Sequence, residues 1–322
     1  FLVLATLLFT YQVYGDSFEY NSYNNYGIVG LIHTPTARTF NEGVHGITAY
    51  NGTPNQTVTL SANPFDWFEA SFFYTNVQGR PYCYDFSSAI CFQDFKDKGF
   101  NTKLRLKKQG KLPAIAIGLN DFAGTGIYSS EYIVGSYGIN RTDFHFGLGY
   151  GLLSGSDLNF KNPLINISDQ FSERPTLFAA QGGSFQPSRY FSGEKAAPFF
   201  GVSHVVRDKL ILKLEHDTSV RPGLVPFRKP KSDFSFGFDY LINNNFSIGI
   251  SFERGDYASF KFVYKNDPVK TFQQNQYARG DRRRGDNKYT QLINNLEENG
   301  IGVKKLTRNA NSIGLQLTQV IN

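Results

Sequence analysis

Five histidines, His33, His45, His145, His204 and His216, are the side chains best suited to acid–base or metal chemistry near neutral pH. They are scattered, with no His-x-x-x-His spacing, and no Gly-x-Ser-x-Gly elbow supplies a nucleophile. Asp143 or Glu215 could orient a histidine beside a serine, as in barrel-embedded lipases. Each histidine is explained more simply as a lumen or loop residue, so no enzyme is expected. Gly147, Gly149 and Gly151 recur with strand period and no helix follows them, which excludes a phosphate-cradling loop. Paired carboxylates for glycoside cleavage need only meet in space, and spacing singles none out. Cys83 and Cys91 could close a small loop worth about 2.6 kcal/mol on the chain-entropy account, and an exported chain favours that disulfide over two free thiols. No histidine or second cysteine pair joins them at ligand spacing, so neither a metal nor a cofactor is expected.

A second chemistry belongs to polar residues that interrupt apolar runs. Phe144, Phe146, Leu148 and Tyr150 alternate with His145 and glycines. Phe246, Ile248, Ile250 and Phe252 alternate with small residues and Glu253, and Phe234, Phe236, Phe238 and Tyr240 with Ser235, Gly237 and Asp239. Phe260, Phe262 and Tyr264 oppose Ser259 and Lys261; Leu210, Leu212 and Leu214 oppose Lys213 and Glu215; Leu104 and Leu106 oppose Lys103 and Arg105. Charges at the inward positions would be costly in a dry sandwich core and are cheap in a wet lumen. Glu69, Lys103, Arg105, Asp121, Asp143, His145, Lys213, Glu215, Asp239 and Glu253 are therefore the candidate lumen residues, able to hydrogen-bond a glycan moving past them. The plainer alternative is a salt-bridged interior that only fills the barrel.

These residues need strands to position them. The six runs above, with weaker ones at 45–51, 56–62, 67–75, 113–121, 130–137 and 198–206, give twelve, the even number that an antiparallel barrel requires. Ile242 to Asn245 and Gly255-Asp256 suit tight turns. The stretches 77–98, 152–196 and 218–232 read as loops, with a short helix over 167–174 capped by Ser168. After Tyr264 the pattern changes: a polar, basic stretch runs to residue 287, then Tyr289 to Leu296 has helical spacing, Gly300 stops it, and 301–306 and 312–318 read as strands. The expected architecture is all-β, an antiparallel transmembrane β-barrel of about 12 strands over 16–265, with a linker and the start of a small α/β module over 266–322.

Composition agrees. Hydrophobic residues make up 40% of the 322 residues and mean hydropathy is −0.33, so helical membrane spans are excluded. Aromatics reach 16%, with Phe 31 and Tyr 19, as suits strands with one face in lipid. The net charge of +6 is concentrated in loops such as Arg279 to Lys288, which reads as a solvated loop and not as a nucleic-acid surface. Phe1 to Thr10 is an uncharged apolar run too short to span a bilayer; it reads as the remnant of a signal peptide over 1–15, cleaved after Gly15. The barrel is expected to hold the protein in the membrane without a lipid anchor. With no terminal aromatic at Asn322, the natural chain is expected to continue.

Gly27-Ile28-Val29-Gly30-Leu31-Ile32-His33-Thr34-Pro35-Thr36-Ala37-Arg38, Asp66-Trp67-Phe68-Glu69, Gln181-Gly182-Gly183, Phe199-Phe200-Gly201 and Leu212 to Asp217 resemble the N-terminal half of the YjbH family of exopolysaccharide-associated outer-membrane proteins. His216 stands there in place of an expected aromatic. Gly30, Thr34, Pro35, Thr36 and Arg38 lie in the most specific stretch, for which the bland alternative is a structural turn or plug with Arg38 paired to a lumen carboxylate. The resemblance implies a role in making or exporting a surface polysaccharide, and family members about twice this length with a second barrel region. The expected location is the outer membrane of a Gram-negative bacterium. Expected partners are its lipid, the polysaccharide and other exopolysaccharide-machinery proteins in the periplasm, with no nucleic acid. The alternative is a secreted all-β carbohydrate-binding module whose aromatic faces are buried.

Overall fold

The structure, a computed structural model, describes residues 21–82, 93–175, 185–220, 222, 230–268, 288–298, 301–309 and 312–319. The signal segment 1–15, Cys83, Cys91, Gln181-Gly182-Gly183 and most of the basic stretch before the helix lie outside them. The chain divides into two compact units, one ending at Asn266 and one beginning at Asp267.

In the first unit, β1 (His45–Asn51), β2 (Asn55–Phe65), β3 (Phe68–Tyr82), β4 (Gln93–Lys107), β5 (Ala114–Asn120), β6 (Ser130–Ile139) and β7 (Thr142–Gly151) pair in sequence order. After the two-residue β8 (Phe160–Lys161), the wall resumes with β9 (Lys195–Arg207), β10 (Leu210–His216), β11 (Phe234–Leu241), β12 (Phe246–Glu253) and β13 (Tyr257–Asn266). β7 pairs with β9, and β13 pairs with β1 from His45↔Asn266 to Asn51↔Phe260, so twelve antiparallel strands close into a barrel. β8 adds only a short ladder to the start of β9. Each expected strand is present because period two survives pairing: Phe236 stands opposite Phe252, and Phe246 opposite Tyr264, on one face.

That face points outward. Val58, Leu60, Phe100, Phe144, Phe146, Leu212, Phe236, Ile250 and Phe260 are all exposed, while Lys103, Glu215, Glu253 and Asp143 on the other face are buried. A sandwich would reverse this, so the alternative of an all-β module with buried aromatic faces does not hold. No helix among the described residues is long and apolar enough to cross a membrane.

Several expected boundaries move. The supposed loop 77–98 is largely strand, because β3 and β4 run on for 15 residues each. Polar residues there read as loop, but a ladder needs no apolar face where it extends beyond a hydrophobic zone. The expected helix over 167–174 is reduced to a 3-10 turn over Asp169–Phe171, whose cap is Ser168, accepting from the Gln170 amide. Asp121, assigned to the end of a strand, lies one residue beyond β5 with φ 50°. Turn chemistry follows expectation: Arg254 and Gly255 have φ 52° and 71°, and the Asn243 side chain accepts from the amides of Asn245 and Phe246.

The short turns β2–β3, β6–β7, β9–β10 and β11–β12 share one barrel end with the start of β1 and the finish of β13. The longer β3–β4, β5–β6, β7–β9 and β10–β11 connections share the other. The second unit contains a helix, α1 (Lys288–Glu298), and an antiparallel hairpin of β14 (Ile301–Asn309) and β15 (Ser312–Gln319). Among the described residues this is one small helix and one hairpin, and the expected α/β module is not evident.

Candidate functional site

The lumen is filled by the chain that precedes β1. Residues 23–40 are all buried except half-buried Tyr26. This segment rises from the short-turn end, folds back on itself through bridges Tyr23↔Val29 and Gly30↔Pro35, and returns to β1. It has no regular secondary structure, so its backbone groups need partners from the wall. The inward charged residues supply them.

Glu215 accepts from three consecutive backbone amides, Ile32 (3.0 Å), His33 (2.9 Å) and Thr34 (3.0 Å), and from the Thr34 hydroxyl (2.8 Å). Such a nest of N–H groups stabilises an anion without a cation, and among the described residues no lysine or arginine pairs with this carboxylate. Glu69 accepts from the Val29 amide (2.9 Å) and pairs with Lys103 (2.6 Å), whose ammonium donates to the Val29 carbonyl (2.9 Å). Lys213 bridges Asp239 (2.8 Å) to the carbonyls of Gly30 (3.2 Å) and Leu31 (2.7 Å). Lys261 joins Asp239 (3.2 Å) to the Tyr23 carbonyl (2.5 Å). Glu253 receives His33 Nε2 at 2.6 Å, the Asn25 amide at 3.2 Å and the Tyr50 hydroxyl at 3.0 Å.

Nearer the short turns, Asp143 holds Arg38 in a fork, Nε–Oδ2 2.8 Å and Nη2–Oδ1 2.7 Å. His145 Nδ1 lies 2.8 Å from Ser136 Oγ, which accepts from the Ala37 amide at 2.8 Å. Arg105 donates to Thr39 Oγ1 (2.5 Å) and Asp66 (3.2 Å). Asp66 also accepts from Lys108, whose hydrogen bond holds that turn carboxyl below its ordinary value.

Nine of the ten sequence-selected polar residues thus face inward together, and eight of these make direct or one-residue-removed contacts with buried plug residues: Glu69, Lys103, Asp143, His145, Lys213, Glu215, Asp239 and Glu253. Arg105 reaches the plug's exit at Thr39. Asp121 is the exception. It sits in the β5–β6 connection, accepting from the Tyr128 amide (3.0 Å), and burial pushes its carboxyl up to about 7.

The motif residues are the plug. Gly30 lets the backbone fold tightly, since a Cβ there would lie 2.4 Å from the Thr34 carbonyl oxygen. Gly27 has φ 72° and would meet Thr59 Oγ1 at 2.2 Å. Thr36 places its hydroxyl 3.4 Å from the Val29 carbonyl, next to the Pro35 bridge. Arg38 is paired with a lumen carboxylate, as the structural alternative anticipated. Sequence reasoning missed Asn24, Asn25, Tyr50 and Ser136 as parts of this network, and left His33 and Lys261 out of the lumen candidates. Lys261 was readable, since it alternates with Phe260 and Phe262; the asparagines carry no periodic signal. His216 does take an aromatic's place, stacked on Phe200 at 4.7 Å and edge-on to Phe234 at 5.2 Å.

Comparison with known proteins bears on these residues directly. The family described as "Exopolysaccharide biosynthesis protein YbjH" matches residues 22–321, the plug and the whole barrel included. A protein of Escherichia coli (strain K12) named "Uncharacterized lipoprotein YjbH" is 34% identical over 268 residues, covering 80% of this chain; the chain spans 37% of that relative's length. Among solved structures, a NanC porin aligns with TM-score 0.32 at 7% identity over 69% of this chain and 97% of its own, too slight a likeness to carry an argument. With the family matched from the first described residues to the second unit, the chain belongs to the YjbH family of exopolysaccharide biosynthesis proteins.

Proposed function

We propose that this chain is an outer-membrane β-barrel component of exopolysaccharide or capsule biosynthesis and export in a Gram-negative bacterium, and that it acts with its lumen shut by its own N-terminal segment. The observation that carries the membrane reading is the outer belt of exposed Leu, Ile, Val and Phe around a wall whose interior is charged. In water such a belt would be an aggregation surface, whereas in lipid it is the solvent-matched face. Long connections at one end and short turns at the other agree with extracellular loops and periplasmic turns.

The plug argues for a supporting role over an open conduit. The gaps beside it measure only ≈10–30 Å3, room for single waters and not for a sugar chain. The nine inward candidates would meet a glycan only after the plug left, so their resting task is to hold it. Machinery partners would meet the chain at the short-turn, periplasmic end. The reading assigns no reaction to the protein.

Heat-modifiability on a gel together with membrane fractionation tests this. An outer-membrane protein whose mobility shifts on boiling supports the barrel in lipid; a protein that stays in the periplasm without detergent and shows no shift defeats it.

A further inference from the structure

A roomier cleft than the gaps beside the plug lies away from the lumen. At the long-loop end, the β5–β6 and β7–β9 connections and the start of β9 enclose a cleft of ≈320 Å3, at the small end of ligand pockets. Its walls carry Arg174, Arg189 and Lys195 beside the hydroxyls of Ser129 and Ser154, with Glu194 as the one lining carboxylate. Arg174 is already committed, its guanidinium forked onto Glu131 at 2.7 and 2.8 Å.

Arg189 is held by neutral acceptors: its Nη1 donates to the Pro175 carbonyl (2.6 Å), its Nη2 to that of Gly126 (3.3 Å) and its Nε to Ser129 Oγ (3.5 Å), and among the described residues no carboxylate forms an ion pair with it. Burial and the neighbouring Arg174 charge hold its pKa below the ordinary value, and the carboxylates of Glu131 and Asp121 offset that only in part. Lys195 is exposed and stands directly opposite Lys161 in the β8–β9 ladder. Like charges so placed repel, and neither lysine has an ion-pair partner among the described residues. Gly126, Gly151 and Gly193 have φ 77°, 61° and 117°; Gly151 lies against the Arg174 guanidinium, whereas a Cβ on Gly193 would meet only Arg174 Cβ, at 3.7 Å, so the open backbone of the cleft is at Gly193.

We propose that this cleft binds a carboxylate-bearing sugar of an acidic polysaccharide, Arg189 and Lys195 taking the carboxylate while the open backbone at Gly193 admits the ring. The proposal rests on the exopolysaccharide reading above and specifies its substrate as a polyanion. A sugar fits better than a lipid phosphate, because the lining comes from connections and strand ends and includes none of the exposed belt residues such as Phe144 or Ile250.

Titration calorimetry on the full-length protein in detergent, with tetramers of galacturonate, glucuronate and mannuronate and maltotetraose as the neutral control, tests it. At least one uronate should bind about tenfold more tightly than maltotetraose and weaken as salt is raised. Lys195→Gln and Arg189→Gln should each reduce that affinity about tenfold, while Lys108→Gln at the opposite end leaves it unchanged. Lys195 has no structural partner to lose, so its variant folds even where the arginine variant does not. The proposal is overturned if every uronate binds no better than maltotetraose, if binding survives both substitutions, or if only lipopolysaccharide phosphate binds in a Lys195-dependent way. The same preparations are scored for the heat-dependent mobility shift. A shifting barrel indifferent to uronates defeats this proposal alone, and absence of the shift defeats the outer-membrane reading beneath it.

Discussion

Glu215 shows how much one side chain carries here. Its carboxylate answers four donors of the plug at 2.8–3.0 Å, and bonds to a buried charge are the strong class. Glu215→Gln keeps the shape but turns an NH2 toward donors, so the folded barrel should lose about 3 kcal/mol, read as an earlier loss of the fast-migrating gel band on heating. Asp143→Ala strands the buried Arg38 charge and should cost about 3–5 kcal/mol. The double replacement Arg38→Met/Asp143→Leu should cost less than that single change, which a double-mutant cycle measures directly. Asp121 adds a pH dependence. Its folded pKa is pushed up to about 7 by burial, so the folded state binds a proton that the unfolded chain has released. Stability should fall as pH rises from about 4 to 7 and level off above. Asp121→Asn, a residue that tolerates the φ of 50° found there, should flatten that profile in denaturant titrations across pH.

At the level of elements, the strands test the membrane reading. Phe236 lies on the outer face of β11, 58% exposed, and Phe236→Arg should cost about 2–4 kcal/mol if that position lies near the bilayer midplane, seen as failure to insert into vesicles. All twelve wall strands were legible in sequence because alternation is a local property: Phe246 to Glu253 shows both faces within eight residues. The inward residues were legible for the same reason. The plug was not. Tyr23 to Phe40 has neither period two nor period 3.6, and its conformation is dictated by groups such as Glu215 and Glu253 about two hundred positions away. What could be read was only that the stretch holding Gly30, Thr34, Pro35, Thr36 and Arg38 could be a structural turn or plug, and that Arg38 would pair with a lumen carboxylate. The 3-10 turn after Ser168 shows the opposite limit, with a correct cap and no helix behind it. The cleft at the long loops is invisible in sequence because Arg174, Arg189 and Lys195 converge only through loop folding around the Asn162 side chain, which donates to the carbonyls of Phe191 and Gly193.

For the whole molecule, a filled lumen predicts near-silence in planar bilayers. The wild-type protein should show little conductance through this barrel, and Glu215→Gln, which loosens the plug, should raise the frequency of open events over wild type under the same voltage. The plug has a further consequence at the junction where the first wall strand meets the last. Tyr50 of β1 reaches across β13 to Glu253 of β12, Lys261 of β13 grips the Tyr23 carbonyl, and Tyr23 packs with Phe40, Val44 and Val263 over the same place. The first and last strands are therefore fastened from within as well as by their own ladder. The wall cannot part sideways there while the segment remains seated, and a lateral exit from the lumen is closed by the same contacts that close the axial one.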